Sequence, residues 1–370
     1  MVHEVVRKQQ ELMKKHGLGA LVAVSPEIIR YTTGVMIPTQ SVIRERHALC
    51  ITPATGDPVA VVVNIEENLV KSQSFIQDIR SYNEFTDEPI VMLSDVLKEK
   101  GLEKETIGIE LDYLPARRYE LLKKEMPKTE FISCEDHFYE LRTIKTQDEL
   151  MLIEEIGRAA EESIYSAFSQ LRSGMTEQDL AKLLVGEYFT RGGEKIQILV
   201  VATGERSSFL NASATDRRIE LGDVIRVDLI GTKQGYYSDV CRTAVVGEPT
   251  PEILDIWSSI VEARELVLSD IKPGADTKAI YAKYREFVVR KNLTPIDFVG
   301  HGLGLGLHEE PYFGKYGGTV LQPGMVFCIE PIHVVPDKMG FQLEDELVIT
   351  DNGYRLLTGG PRSKELAVIE

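Results

Sequence analysis

The spacing of apolar residues changes near residue 143. Before it, short apolar runs at 18–24, 48–52, 59–63 and 107–109 alternate with helical spacing at 2–16 and 116–124. Gly17 and the turn Thr55-Gly56-Asp57 punctuate them. Short buried runs between such breaks predict strands among helices, an α/β pattern. After it, Leu150, Ile153, Ile156, Ala160, Ile164 and Phe168 recur at three- and four-residue intervals, which predicts one helix over 147–171. Ser173-Gly174 ends that helix, and Thr176 with Asp179 opens another with a capping-box-like start. Strands are expected at 199–202, 224–230, 237–246, 325–329 and 341–349, with helices at 251–269 and 276–291 between them. The expected fold class is α/β followed by α+β, divided into residues 1–145 and 146–370.

Carboxylates interrupt the apolar strands of the second part. Asp228 lies inside Val-Ile-Arg-Val-Asp-Leu-Ile, Glu330 ends Val-Phe-Cys-Ile-Glu-Pro, and Glu344 stands with Asp345 and Glu346 inside another strand. An ionised carboxylate buried alone is costly, so each needs a cation or a raised pKa. Taken singly, each fits an edge strand whose acid faces water or pairs with Arg226 or Arg242. Together with Asp239 and a histidine in a glycine-rich segment, another reading opens. Residues 231–235 can turn the chain and bring Asp228 and Asp239 onto adjacent antiparallel strands. His301 and His308 lie in Gly-His-Gly-Leu-Gly-Leu-Gly-Leu-His-Glu-Glu-Pro, where glycines allow close backbone approach. That segment also reads as a mobile loop, or as a phosphate cradle, although no Lys-Ser/Thr follows it. Four carboxylates and one imidazole fit two hard or borderline divalent ions such as Mn, Co or Zn.

Charge narrows the partners. The 370 residues carry 42 Lys+Arg and 58 Asp+Glu, a net charge of −16. Residues 1–145 account for −4 and residues 146–370 for −12. An acidic surface repels phosphates, so neither nucleic acid nor an anionic membrane is an expected partner. No apolar run approaches the roughly 18 residues of a membrane span, and the first residues lack an apolar signal core. Four scattered cysteines (Cys50, Cys134, Cys241 and Cys328) form no C-x-x-C pair and fit a reducing compartment. A cytoplasmic protein is expected.

At these residues the chain resembles the pita-bread metallopeptidases: prolidase, aminopeptidase P, methionine aminopeptidase and their relative creatinase. Ser25-Pro-Glu-Ile-Ile-Arg-Tyr-Thr-Thr-Gly34 is similar to the N-terminal domain of prolidases and creatinases, which methionine aminopeptidases lack. Asp228 and Asp239 stand at the family's eleven-residue spacing, and His301, Glu330 and Glu344 complete its five metal ligands. The resemblance implies that Asp228 and Glu344 include the bridging ligands. It makes Glu330 the proton acceptor and puts His308 near the scissile amide.

Four positions depart from the family pattern. Asn211 replaces a usual histidine, Asp297 another, Gln342 a usual arginine and Cys241 a common threonine. Asn211, His308 and Gln342 are the candidate substrate contacts. The implied function is hydrolysis of a peptide or amide bond in a small substrate, foremost an Xaa-Pro dipeptide or short peptide, by a homodimer. A creatinase-like hydrolase or lyase acting on a small metabolite, and a non-catalytic scaffold, are the alternatives. His3 and His16 read as surface residues, His47 as a residue able to approach the site, and Trp257 as core or interface.

Overall fold

A computed structural model describes residues 4–172 and 174–370. Val2 and His3, at the start of the first expected helix, and Ser173, in the expected stop of the helix over 147–171, lie outside the described residues. Backbone contacts divide the chain into Met1–Arg142 and Thr143–Glu370.

The first unit is built on one six-stranded sheet. Its strands are β1 (Ala20–Ala23), β2 (Leu49–Pro53), β3 (Val59–Val63), β4 (Asp78–Tyr82), β5 (Thr106–Ile109) and β6 (Glu130–Ser133), in the order β4-β3-β2-β1-β5-β6. Its helices are α1 (Glu4–His16), α2 (Pro26–Thr33), α3 (Glu67–Gln73), α4 (Pro89–Glu99), α5 (Ala116–Glu125) and α6 (Glu135–Thr143). Successive strand residues face opposite sides. Val22, Ile51 and Val61 therefore join Leu93, Leu97 and Leu122 on one face. Leu21, Cys50 and Ala60 join Met13, Ile28 and Phe138 on the other. Apolar cover on both faces explains why these strands read as unbroken hydrophobic runs.

The second unit contains α7 (Gln147–Gln170), α8 (Glu177–Thr190), α9 (Pro251–Asp270) and α10 (Thr277–Arg290). One sheet orders β7 (Lys195–Thr203), β8 (Val224–Lys233), β9 (Tyr236–Val246) and β17 (Ala367–Ile369) as β17-β9-β8-β7. A second orders β10 (Phe298–Gly302), β11 (Glu309–Gly314), β12 (Val326–Ile329), β15 (Asp345–Thr350) and β16 (Gly353–Leu356) as β11-β10-β12-β15-β16. A separate pair joins β13 (Ile332–Val335) to β14 (Met339–Gln342). Thr146 and Glu149 form a capping box at the start of α7, and Thr176 and Asp179 form one at α8.

Helices cover one face of each sheet. Val227, Leu229 and Val240 pack with Ala160, Ile164 and Leu184 of α7 and α8. Phe327, Ile329 and Leu347 pack with Val267, Ile280 and Tyr284 of α9 and α10. Strand parity then turns Asp228, Cys328 and Glu346 to the opposite faces, where they meet one another's sheet. β8 and β9 are joined through Gln234 and Gly235 at φ 49° and 85°, between the paired residues Lys233 and Tyr236. Two successive left-handed residues form the tight turn whose twist suits a hairpin.

Two strand expectations need correction. The strand expected over 341–349 is two strands, β14 and β15, interrupted at Leu343-Glu344. The interruption has a cause: Glu344 N donates to Cys241 O at 3.2 Å, so the chain crosses to the other sheet at that point. The strand expected over 199–202 runs from Lys195 to Thr203, because β8 pairs with it over that whole length.

Candidate metal centre

Five elements converge on one buried point. Asp228 of β8 lies opposite Cys241 in β9, and Asp239 of β9 lies opposite Ile230 in β8, so both acids are on the non-helical face of this hairpin. His301 of β10 lies opposite Cys328 in β12, and Glu330 follows β12 directly. Glu344 occupies the interruption between β14 and β15. All five are buried: Asp228 is 9% exposed, Asp239 4%, His301 1%, Glu330 8% and Glu344 1%. The edge-strand reading of these acids is thereby removed.

His301 Nε2 is 3.6 Å from Asp239 Oδ2 and 3.4 Å from Glu330 Oε1. Ligating atoms of Asp239, His301, Cys328 and Glu344 all lie within 4.8 Å of one another. Gln342 Nε2 donates to Glu330 Oε2 at 3.3 Å and to Glu344 Oε2 at 3.2 Å. Its Oε1 accepts from Arg226 Nη1 at 2.8 Å. Arg226 also donates to the carbonyls of Phe209 and Leu210, which anchors the chain just before Asn211. Asn211 itself is exposed. Neither Arg226 nor Arg242 pairs with Asp228. Arg242 is engaged with Glu161, with Asp345 and with the carbonyl of Glu344.

Electrostatics follow from this crowding. Burial raises the carboxyl groups of Asp228, Asp239, Glu330 and Glu344 above their ordinary range, Glu330 to about 8. For Asp239 the charges of Asp228, Glu330 and Glu346 add to the effect of burial. Burial also pushes His301 down to about 3, with His308 contributing. The His301 and His308 rings are stacked, with centroids 3.7 Å apart. His308 is exposed at the edge of a cavity, and partial burial lowers its pKa. Asp228 Oδ1, Asp239 Oδ1 and Glu344 Oε1 are buried without a hydrogen-bond partner. Orphaned carboxylate oxygens around a neutral imidazole are the donor set of a hard or borderline divalent cation. The residues therefore fit a metal.

Some participants were not singled out as site residues from sequence. Arg226 holds Gln342 in place; its signal was its position two residues before Asp228, on the same face. Glu346, fully buried, accepts from Asp239 N at 2.8 Å and so fixes that strand. A Cβ on Gly157 of α7 would collide with the Glu346 carboxyl, so this helix approaches closely only through a glycine. The lone Trp257 is core, with Nε1 donating to Lys364 O at 2.9 Å. His333 accepts at Nδ1 from Thr294 N at 3.0 Å. All four cysteines are free and buried.

The fold and this centre define a metallopeptidase of the pita-bread type, preceded by a creatinase-like domain. The chain belongs to metallopeptidase family M24: the profile of that family matches residues 151–351, and that of the creatinase/prolidase N-terminal domain matches residues 6–144. An Xaa-Pro dipeptidase of Pyrococcus furiosus is 32% identical over 309 residues, covering 82% of this chain and 85% of that protein. The solved prolidase of Thermococcus sibiricus superposes with a TM-score of 0.88 at 26% identity, covering 99% of this chain and 98% of that one. An X-Pro aminopeptidase of Thermotoga maritima shares the fold, with a TM-score of 0.87 at 24% identity over 98% of this chain and 99% of that one. Among the described residues, no helix is long and apolar enough to cross a membrane.

Proposed function

We propose that this chain is a dinuclear-metal-dependent Xaa-Pro peptidase. Residues 146–370 form its catalytic domain and residues 1–145 a domain that helps to select the substrate. One observation carries the reading: four buried carboxylates surround a neutral imidazole, and three of their oxygens lack any partner. Asp228, Asp239, His301, Glu330 and Glu344 would hold two divalent ions, of Mn, Co or Zn. Bound there, such ions supply Lewis-acid polarisation of a carbonyl and activation of water.

The chain's own residues supply the rest. Glu330 accepts a proton at a carboxylate oxygen, in a place where burial favours the protonated acid. His308, held against His301 at the cavity edge, donates a proton toward the departing nitrogen. Gln342, only 2% exposed, keeps the Glu330 and Glu344 carboxylates in register and acts on the substrate through them rather than by direct contact. Asn211 contributes a hydrogen-bonding amide to the substrate, without the capacity to move a proton. The Xaa-Pro specificity is supported by the Pyrococcus and Thermococcus relatives. A homodimer is supported by the resemblance to two-domain relatives, and a cytoplasmic location by four unpaired cysteines.

The test is a panel of Xaa-Pro dipeptides and tripeptides with the Mn- and Co-loaded protein. Turnover that is abolished by chelation and restored by metal is expected. Metal-loaded protein that cleaves none of them would sink the reading. Asn211, Asp297 and Gln342, at positions where the peptidases differ, favour one second reading, a creatinase-like hydrolase of a small metabolite. Cleavage of methylated or cyclic amides in the same screen would identify it.

A further inference from the structure

Beside His308 lies a cavity of about 390 Å³. Phe298, Tyr312 and Tyr316 supply its aromatic wall, and Asp297 and Glu310 also line it. The two acids are exposed, so both carboxyl groups are within reach of whatever enters. Glu310 is held in place through Oε2, which accepts from Tyr312 N at 3.2 Å and from Thr319 Oγ1 at 3.0 Å. The nearby Lys315 is not in the lining; its Nζ lies 5.2 Å from the centroid of the Tyr316 ring. The cavity thus combines apolar walls for a carbon stem with two negative charges. Aromatic faces also attract cations. Its volume is at the lower end of small-ligand pockets and exceeds what the five-membered ring of a proline fills.

Resting on the peptidase reading, we propose that this cavity selects a substrate side chain with an aliphatic stem and a cationic head. Lysine or arginine would then be the preferred side chain next to the scissile bond, and glutamate the least favoured. Asp297 and Glu310 are the specificity-determining residues. Neither is among the groups assigned to metal binding or proton transfer, so replacing them leaves that machinery in place.

Binding tests this separately from catalysis. The metal-loaded protein is titrated calorimetrically with the α-amides of arginine, lysine, norleucine and glutamate. Arginine and lysine amides are expected to bind about tenfold tighter than norleucine amide, and glutamate amide weakest, as like charges penalise it. The gap should shrink as salt rises, because these charges are exposed to screening. The double variant Asp297→Asn, Glu310→Gln should bring lysine amide to the norleucine value and leave norleucine unchanged. Equal affinities for the four amides, or a cationic preference that survives the double variant, would overturn the proposal. A protein that shows the preference but cleaves no Xaa-Pro peptide upholds the pocket and refutes the peptidase reading instead. A protein that cleaves leucyl-proline without any cationic preference does the reverse.

Discussion

At the scale of single residues, the chemistry lies in groups of the wrong kind for their surroundings. Asp228, Glu330 and Glu344 were legible because each breaks an apolar run, Asp239 because the turn at 231–235 brings it beside Asp228, and the structure buries all four. Replacing one should have a countable effect. Asp239→Ala is expected to lower the bound metal from two ions per chain to about one, measured by elemental analysis; unchanged stoichiometry would contradict its role. His308→Ala should lower kcat by about 10²-fold or more, as for loss of a positioned acid, while metal content stays the same. What single residues could not reveal was pairing. Nothing in the order of residues told that Arg226 would be spent on Gln342 and on three carbonyls, of Ser207, Phe209 and Leu210, rather than on Asp228.

Glu110, in the first unit, offers an independent residue-scale test. It is 5% exposed, accepts from Val24 N, Ser25 N and Ser25 Oγ, and burial pushes its carboxyl up to about 7. Its folded-state pKa is raised, so the folded chain holds a proton that the unfolded chain has released. The associated stability is present in full below the unfolded value near 4.5 and is lost as pH rises through 7. Chemical denaturation between about pH 5 and 8 should show a loss on the order of 2–3 kcal/mol from this group. Glu110→Gln should flatten that part of the profile.

At the scale of elements, periodicity gave the long helix α7 and the hairpin of β8 and β9 nearly to their ends. It failed where a strand is interrupted for a tertiary reason. Leu343-Glu344 sits inside an apolar run, but Cys241 O captures the Glu344 amide and divides it into β14 and β15. Helices α2 and α4 were also missed. The first is short and rich in Ile and Thr, which read equally as strand, and only its Ser25 cap and Gly34 stop mark it.

The interruption is braced from the helix side. Asp345 lies between Arg242 and Arg264, with Arg264 Nη2 2.5 Å from Asp345 Oδ2, and all three are almost fully buried. Removing the shared anion strands buried guanidinium charge, so Asp345→Ala should cost about 3–5 kcal/mol in urea denaturation. A change below 1 kcal/mol would show that the network is dispensable.

At the scale of the whole molecule, the net charge of −16 has a different meaning from the one its composition alone conveys. The four carboxylates of the metal centre are internal rather than on the surface, and two divalent ions would offset them. Both the order of the two domains and the class of chemistry were legible, because they depend on local patterning and on five residues at fixed spacing. Substrate preference was not, because Phe298, Tyr312, Tyr316, Asp297 and Glu310 become one surface only when β10 and β11 pair. The proposed dinuclear centre rests on the five buried groups Asp228, Asp239, His301, Glu330 and Glu344. Its most direct test is the number of manganese ions retained per chain after metal loading and dialysis, by elemental analysis. Two are expected; none retained, under any loading condition, would contradict a dinuclear site.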